Sequence, residues 1–254
     1  LELSIDEMAR VVDRAHERGI HAIVTVFSTE LVEAAETLAW DAYKTASPDI
    51  VNRPLLEKLA DTGKPMIVST GASTLDEVVR AVGWLDAVRD RLAVLQCVSS
   101  YPAPKMELGG IPAIMDATDL PVGYSDHTKN FQGSDAAAFG ACILEKHITY
   151  DKKATGPDHR ASLWEAQFAT YVRHARDLAA KQERDRVIAA RRVFDRSGAS
   201  IKPAKELLEQ VGADSVGQAW SFLKEVENNP IRKIILDCER DVREVSRQSV
   251  VTTR

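Results

Sequence analysis

Residues 142–151 read CILEKHITYD, a run that opens apolar and turns polar at Glu145, Lys146 and His147. Its apolar half has the alternation of a strand, while its polar half carries groups that a buried strand excludes. The same change of character occurs upstream in HAIVTVFS (21–28), AYKTAS (42–47), MIVSTG (66–71), LAVLQCVSSYP (92–102) and LPVGYSDH (120–127). These runs end in Thr25, in Lys44 and Ser47, in Ser69, in Ser99 and Tyr101, in His127 and in His147. Parallel α/β folds bind ligands at the carboxyl ends of their strands, and convergent polar ends suit the mouth of a (β/α) barrel. An open doubly wound sheet gathers such groups at one switch point instead. The expected fold is therefore α/β, a partial (β/α)8 TIM-type barrel of about six βα units with a C-terminal helical extension.

Helical signals fill the intervals. Ser4 and Glu7 frame a capping box ahead of Ile5, Met8, Val12 and Ala15, which share one helical face. Thr74 and Glu77 repeat the box before a helix expected to run to Asp90, and Ser162 with Glu165 is expected to cap the helix after the last strand. Further helices are expected over 29–39, 53–61 and 134–141. Strands alternating with helices imply parallel pairing and right-handed crossovers. Beyond Arg184 the strands stop, and Pro203, Ser215 and Pro230 stand where three helices would start. The expected division is 1–184 for the partial barrel and 185–254 for a helical extension and linker.

Composition excludes several classes of function. A chain of 254 residues buries a substantial core, and a net charge of -5 provides no basic stripe for nucleic acid or an anionic membrane. Cys97, Cys142 and Cys238 are odd in number and lack paired spacing, as expected of reduced thiols in a cytoplasmic protein. No apolar run reaches the roughly 20 residues that span a bilayer.

Two constellations carry chemistry. His127 and His147 end neighbouring strands, so their imidazoles can share one volume and suit a divalent transition metal with open positions. Taken alone, each is more often a hydrogen-bonded structural histidine. Lys44 supplies a point charge, and Thr25, Ser47, Ser69 and Ser125 supply directional donors, a set suited to a phosphate group. The bland alternative is that Ser and Thr commonly end strands and start turns. In TGPDHRAS (155–162), Gly156 and Pro157 fix a turn that sets Asp158 over the strand ends, where it could hold a polar substrate or simply face solvent.

Five longer words go further. KTASPDIVNRPLLE (44–57), TGKPMIVSTGAST (62–74), QCVSSYPAP (96–104), PVGYSDHT (121–128) and EKHITYDKKATGPDHRASL (145–163) occur in the order seen in the N-acetylneuraminate (sialic acid) synthase family. The chain resembles that family over residues 20–165. The resemblance implies a barrel enzyme that condenses phosphoenolpyruvate with an N-acetylated aldose, usually N-acetylmannosamine, giving a nonulosonic acid and phosphate. It implies that His127 and His147 bind a divalent metal, usually Mn2+ with Mg2+ or Co2+ as substitutes. It also assigns phosphoenolpyruvate to Lys44, Thr25, Ser47, Ser69 and Ser125, and the amino sugar to Tyr101 and Asp158.

The chain departs from the family pattern in places. Asp49 stands where the family has Glu and Ser99 where some members have Asn, and the KMELGGI segment (105–111) is shorter than usual. The resemblance also implies two further βα units ahead of Leu1, a small antifreeze-like domain after VSRQSVVTTR (245–254), and either a homodimer or a barrel completed by another chain. An inactive homologue that keeps metal and phosphate binding as an assembly module stays open beside the synthase reading. Within this scheme His147 points inward, Glu145 one layer below orients what His147 holds, and Lys146 faces the other side of its strand.

Overall fold

Six parallel strands form one sheet in the order β1-β2-β3-β4-β5-β6. They are β1 (Ile23–Thr25), β2 (Ala42–Thr45), β3 (Met66–Ser69), β4 (Leu92–Cys97), β5 (Val122–Asp126) and β6 (Leu144–Lys146). The computed structural model describes residues 3–195, with side chains through Gln182. The chain divides after Ala179 into two units, and the first contains every described strand.

Helices α1 (Ile5–Glu17), α2 (Thr29–Ala35), α3 (Arg53–Ala60), α4 (Leu75–Trp84), α5 (Gly110–Thr118) and α6 (Glu165–Asp195) alternate with the strands. Both expected capping boxes form: the Ser4 and Thr74 hydroxyls accept from the backbone N–H of Glu7 and Glu77, whose carboxylates reach back to the cap. α6 corrects the reading at its start. The Ser162 hydroxyl donates instead to the Asp158 carbonyl at 2.8 Å, and Gln167 Oε1 accepts from the backbone N–H of Trp164. α4 also stops earlier than expected, followed by a 3-10 segment over Asp86–Arg91, and the alanine-rich stretch is a 3-10 helix over Gln132–Phe139. The helices expected from Pro203, Ser215 and Pro230 lie outside the described residues. No described helix is long and apolar enough to cross a membrane.

Register sorts the sheet into two faces. Thr25 pairs with Lys44, Ser69 with Leu95, Cys97 with Ser125, and Ser125 with Glu145. Registered partners in a parallel ladder share a face, so the polar strand ends lie together on the inner side. The outer side carries Tyr43, Met66, Val68, Leu92, Val94, Val122 and Tyr124, which form one core with Leu55, Leu56, Leu59, Ile111 and Ile114 of the helices. Each of these, fully buried, contributes about 1.5–3 kcal/mol of apolar transfer.

The sheet is curled into a half-barrel. Lys44 Nζ of β2 lies 3.4 Å from Glu145 Oε1 of β6. In a flat sheet four strand spacings would separate these backbones by about 19 Å, beyond the reach of the two side chains. Inside the curl only glycine fits at position 123, where a Cβ would meet the Ile143 carbonyl oxygen at 2.5 Å and Leu95 Cδ2 at 2.5 Å.

Candidate active site at the strand carboxyl ends

β5 and β6 end at Asp126 and Lys146 in mutual register, and the next residue on each is a histidine. The rings of His127 and His147 stand 5.8 Å apart between centroids. Tyr101 completes an aromatic group, its ring 4.1 Å from His127 and 5.9 Å from His147. Asp158 also reaches this group, with Oδ2 3.9 Å from His147 Nδ1.

Hydrogen bonding decides what His127 offers. Its Nδ1 lies 2.7 Å from the Val98 carbonyl, which can only accept, so the proton is on Nδ1. Ser125 Oγ lies 3.2 Å from Nε2, but its one proton goes to Glu145 Oε2 at 2.5 Å. The Nε2 lone pair is thus left without a donor. Burial lowers the imidazole pKa below its ordinary value; the Val98 carbonyl opposes the shift and His147 adds to it. A neutral ring held through Nδ1 with a free Nε2 is the form in which histidine binds a metal. Among the described residues no group of three or more His, Cys, Asp and Glu is placed to hold a metal ion.

Glu145 is the residue whose importance sequence reasoning understated. It accepts from Ser125 and pairs with Lys44, linking β2, β5 and β6 across the mouth. The alternation in EKH was enough to turn it inward, but its partner on β2 becomes visible only once the sheet curls. Thr25 lies beside Lys44 in register.

Ser47 and Ser99 belong to a second group, gathered around Gly71. Ser47 sits in a 3-10 turn (Ser47–Val51) rather than at a strand end, and its Oγ accepts from Gly71 N–H at 3.0 Å and lies 3.2 Å from Cys97 Sγ. A Cβ on Gly71 would come within 2.2 Å of Ser99 Oγ, 2.6 Å of Cys97 Sγ and 2.8 Å of Ser47 Oγ, so these three groups converge on the glycine. Ser69 is 2 % exposed and its hydroxyl has no hydrogen-bond partner among the described residues. A buried donor in that state is available to a ligand. Asp49 stands apart, with its carboxylate 3.5 Å from Asn52 Nδ2 in its own turn.

Residues 1–186 match the NeuB family. A Methanocaldococcus jannaschii protein described only as uncharacterized, MJ1065, is 37% identical over 207 residues, covering 76% of this chain and 61% of that one. The N,N'-diacetyllegionaminic acid synthase of Campylobacter jejuni is 39% identical over 169 residues, covering 64% of this chain and 51% of its own length. The crystal structure of an N-acetylneuraminic acid (sialic acid) synthetase from Leptospira borgpetersenii, in complex with citrate, aligns with a TM-score of 0.68 at 30% identity. That alignment covers 70% of this chain and 64% of the solved one. The chain thus spans between half and two thirds of the length of these proteins.

Proposed function

The chain belongs to the NeuB family, and from that premise we propose that it serves the condensation of phosphoenolpyruvate with an N-acetylated aldose, giving a nonulosonic acid and phosphate. N-acetylmannosamine or a related aldose is the acceptor in this reading. The observation that carries it is the linked set Lys44, Glu145, Ser125 and His127, which joins a phosphate-suited cation to a metal-suited imidazole across one mouth.

A divalent metal held by His127 and His147, Mn2+ in this reading with Mg2+ or Co2+ as substitutes, would supply Lewis acidity toward the aldehyde oxygen. The protein's own groups do the rest. Lys44 exchanges its Glu145 partner for the phosphate of phosphoenolpyruvate, Ser125 turns its proton from Glu145 to the same group, and Thr25, Ser47 and Ser69 add further directional donors. Tyr101, over the His127 ring, and Asp158, beside His147, grip the sugar so that its aldehyde carbon faces C3 of phosphoenolpyruvate. The C2–C3 π pair attacks that carbon and leaves a cation at C2; the aldehyde's π pair moves onto its oxygen, which takes up the proton released as water adds at C2, and the tetrahedral intermediate expels phosphate as C2 becomes a carbonyl. Lys44 and the hydroxyls stabilise the departing charge. Ser99, which meets Ser47 and Cys97 around Gly71, joins the substrate-binding set in this reading.

A metal- and phosphate-binding module without turnover is the second reading. It is favoured by Asp49, whose carboxylate engages Asn52 instead of the histidine group.

Phosphate release from phosphoenolpyruvate with Mn2+ and N-acetylmannosamine, compared across the parent, His127→Ala and His147→Ala, tests the proposal. Release by the parent that disappears in both variants and with chelator is the expected result. Stoichiometric Mn2+ binding by the parent without release with any N-acetylated aldose would select the second reading.

A further inference from the structure

Lys146, between Glu145 and His147, points to the opposite side of β6 and is buried, its side chain 1% exposed and paired with Asp126 at 0%. Its Nζ is 3.0 Å from Asp126 Oδ2, an ion contact, and donates to the backbone carbonyls of Asp126, at 3.3 Å, and of Thr128. Those carbonyls flank His127. Asp126 Oδ1 in turn accepts from Thr128 N–H at 2.8 Å, closing a short ring of contacts around the backbone of His127.

The position is informative because the ladder stops there. The last registered pair of β5 and β6 is Asp126 with Lys146, so His127 and His147 lie one residue beyond it. Their carbonyls accept from loop residues, Ala103 and Leu163, rather than from each other's strand. The Lys146 ammonium is thus a side-chain contact that ties the backbone on either side of His127 to the residue preceding His147. A third element holds the pair in place: at Gly133 a Cβ would fall 2.1 Å from Asp126 Cγ, so the 3-10 helix packs directly on the carboxylate.

We propose that the buried Asp126–Lys146 pair is a positioning device that holds the two imidazoles at the spacing a shared metal requires. It acts as the missing rung of the ladder and touches neither metal nor substrate. The inference rests on the reading that His127 and His147 are the ligands. Buried pairs are not needed for stability as such, since well-packed neutral replacements are often tolerated, whereas removing one partner strands a buried charge.

The test therefore uses the neutral double variant D126N/K146M, in which Asn keeps an acceptor for Thr128 N–H and Met keeps the volume. A second variant, G133A, displaces Asp126 without removing a charge. Mn2+ affinity is measured by electron paramagnetic resonance, the ligand field by the Co2+ absorption spectrum, and the spacing without metal by a ring-to-ring nuclear Overhauser effect between His127 and His147. The expected result is a fold unchanged by circular dichroism, Mn2+ affinity lower by about 10–100-fold, an altered Co2+ spectrum and a weakened Overhauser effect. Parent affinity, spectrum and Overhauser effect in a folded double variant overturn the proposal; if that variant does not fold, the same three readouts on G133A decide. A parent that binds no Mn2+ overturns the metal reading instead, while the Overhauser comparison still decides the positioning role.

Discussion

Glu145 faces three groups with different demands: a lysine that favours its charge, a serine that donates to it, and a histidine kept neutral beyond that serine. Its side chain is 39% exposed, so its attraction for Lys44 is screened and contributes at most about 1 kcal/mol. Replacing it with Gln removes the carboxylate that competes with phosphate for Lys44. Glu145→Gln is expected to tighten inorganic phosphate binding by up to about fivefold while slowing condensation, seen by calorimetry and phosphate release respectively. Unchanged phosphate affinity would show that Lys44 is not the phosphate anchor. At this scale the sequence indicates residue type and face but not every partner. His127 and His147 could be expected to meet because they end consecutive runs. Lys44 and Glu145 are separated by about 100 residues, and nothing local to either one identifies the other. Lys146 was legible only as outward-facing, since its partner Asp126 lies on another strand.

The helices and strands themselves were largely legible, and the errors have a common cause. Capping boxes are local, a hydroxyl and a carboxylate three residues apart, and both read as helix starts form as such. Removing one hydroxyl by Thr74→Ala is expected to cost about 1 kcal/mol in urea unfolding. The carboxylates add a pH dependence. The Thr74 backbone N–H, then its hydroxyl, hold Glu77 below the ordinary carboxylate range. A depressed folded pKa stabilises above the unfolded value and is lost as pH falls through the folded one. Glu77→Ala should therefore be less stable than the parent at pH 7, with the gap closing below pH 4.5 in thermal melts. Strands end sooner than the alternation suggests, because the residues after Thr25, Ser69, Cys97, Asp126 and Lys146 leave the ladder as loops while their sequence keeps a strand-like composition. At α6 the S-x-x-E pattern was present but its serine was engaged by the Asp158 carbonyl, a competition that only the folded loop reveals.

Among the described residues, the apolar core and the candidate site occupy opposite faces of one curved sheet. The outer face carries the apolar core, and the inner face carries the lysine, hydroxyls and histidines. The two are therefore separable by mutation. Leu56, 0% exposed within the core, is expected to cost about 2–5 kcal/mol on replacement by Ala, measured as a fall in the urea midpoint. The folded fraction should nonetheless bind Mn2+ with parent affinity, and a loss of affinity parallel to the loss of stability would contradict the separation. The alternation of helix and strand was enough to indicate a parallel, barrel-like sheet, because each βα unit is a local pattern repeated. The degree of curl was not legible, since it depends on how closely β5 can approach its neighbours at Gly123. The two-sidedness of Glu145, Lys146 and His147 also bears on how such a protein can change over generations. Inserting or deleting one residue just ahead of that triplet would exchange the faces, bringing the ammonium into the mouth and turning acid and imidazole toward Asp126. Reading-frame-preserving length changes are thus closed to this word and remain open to the loops beyond it, so lineages can diverge here only by substitution.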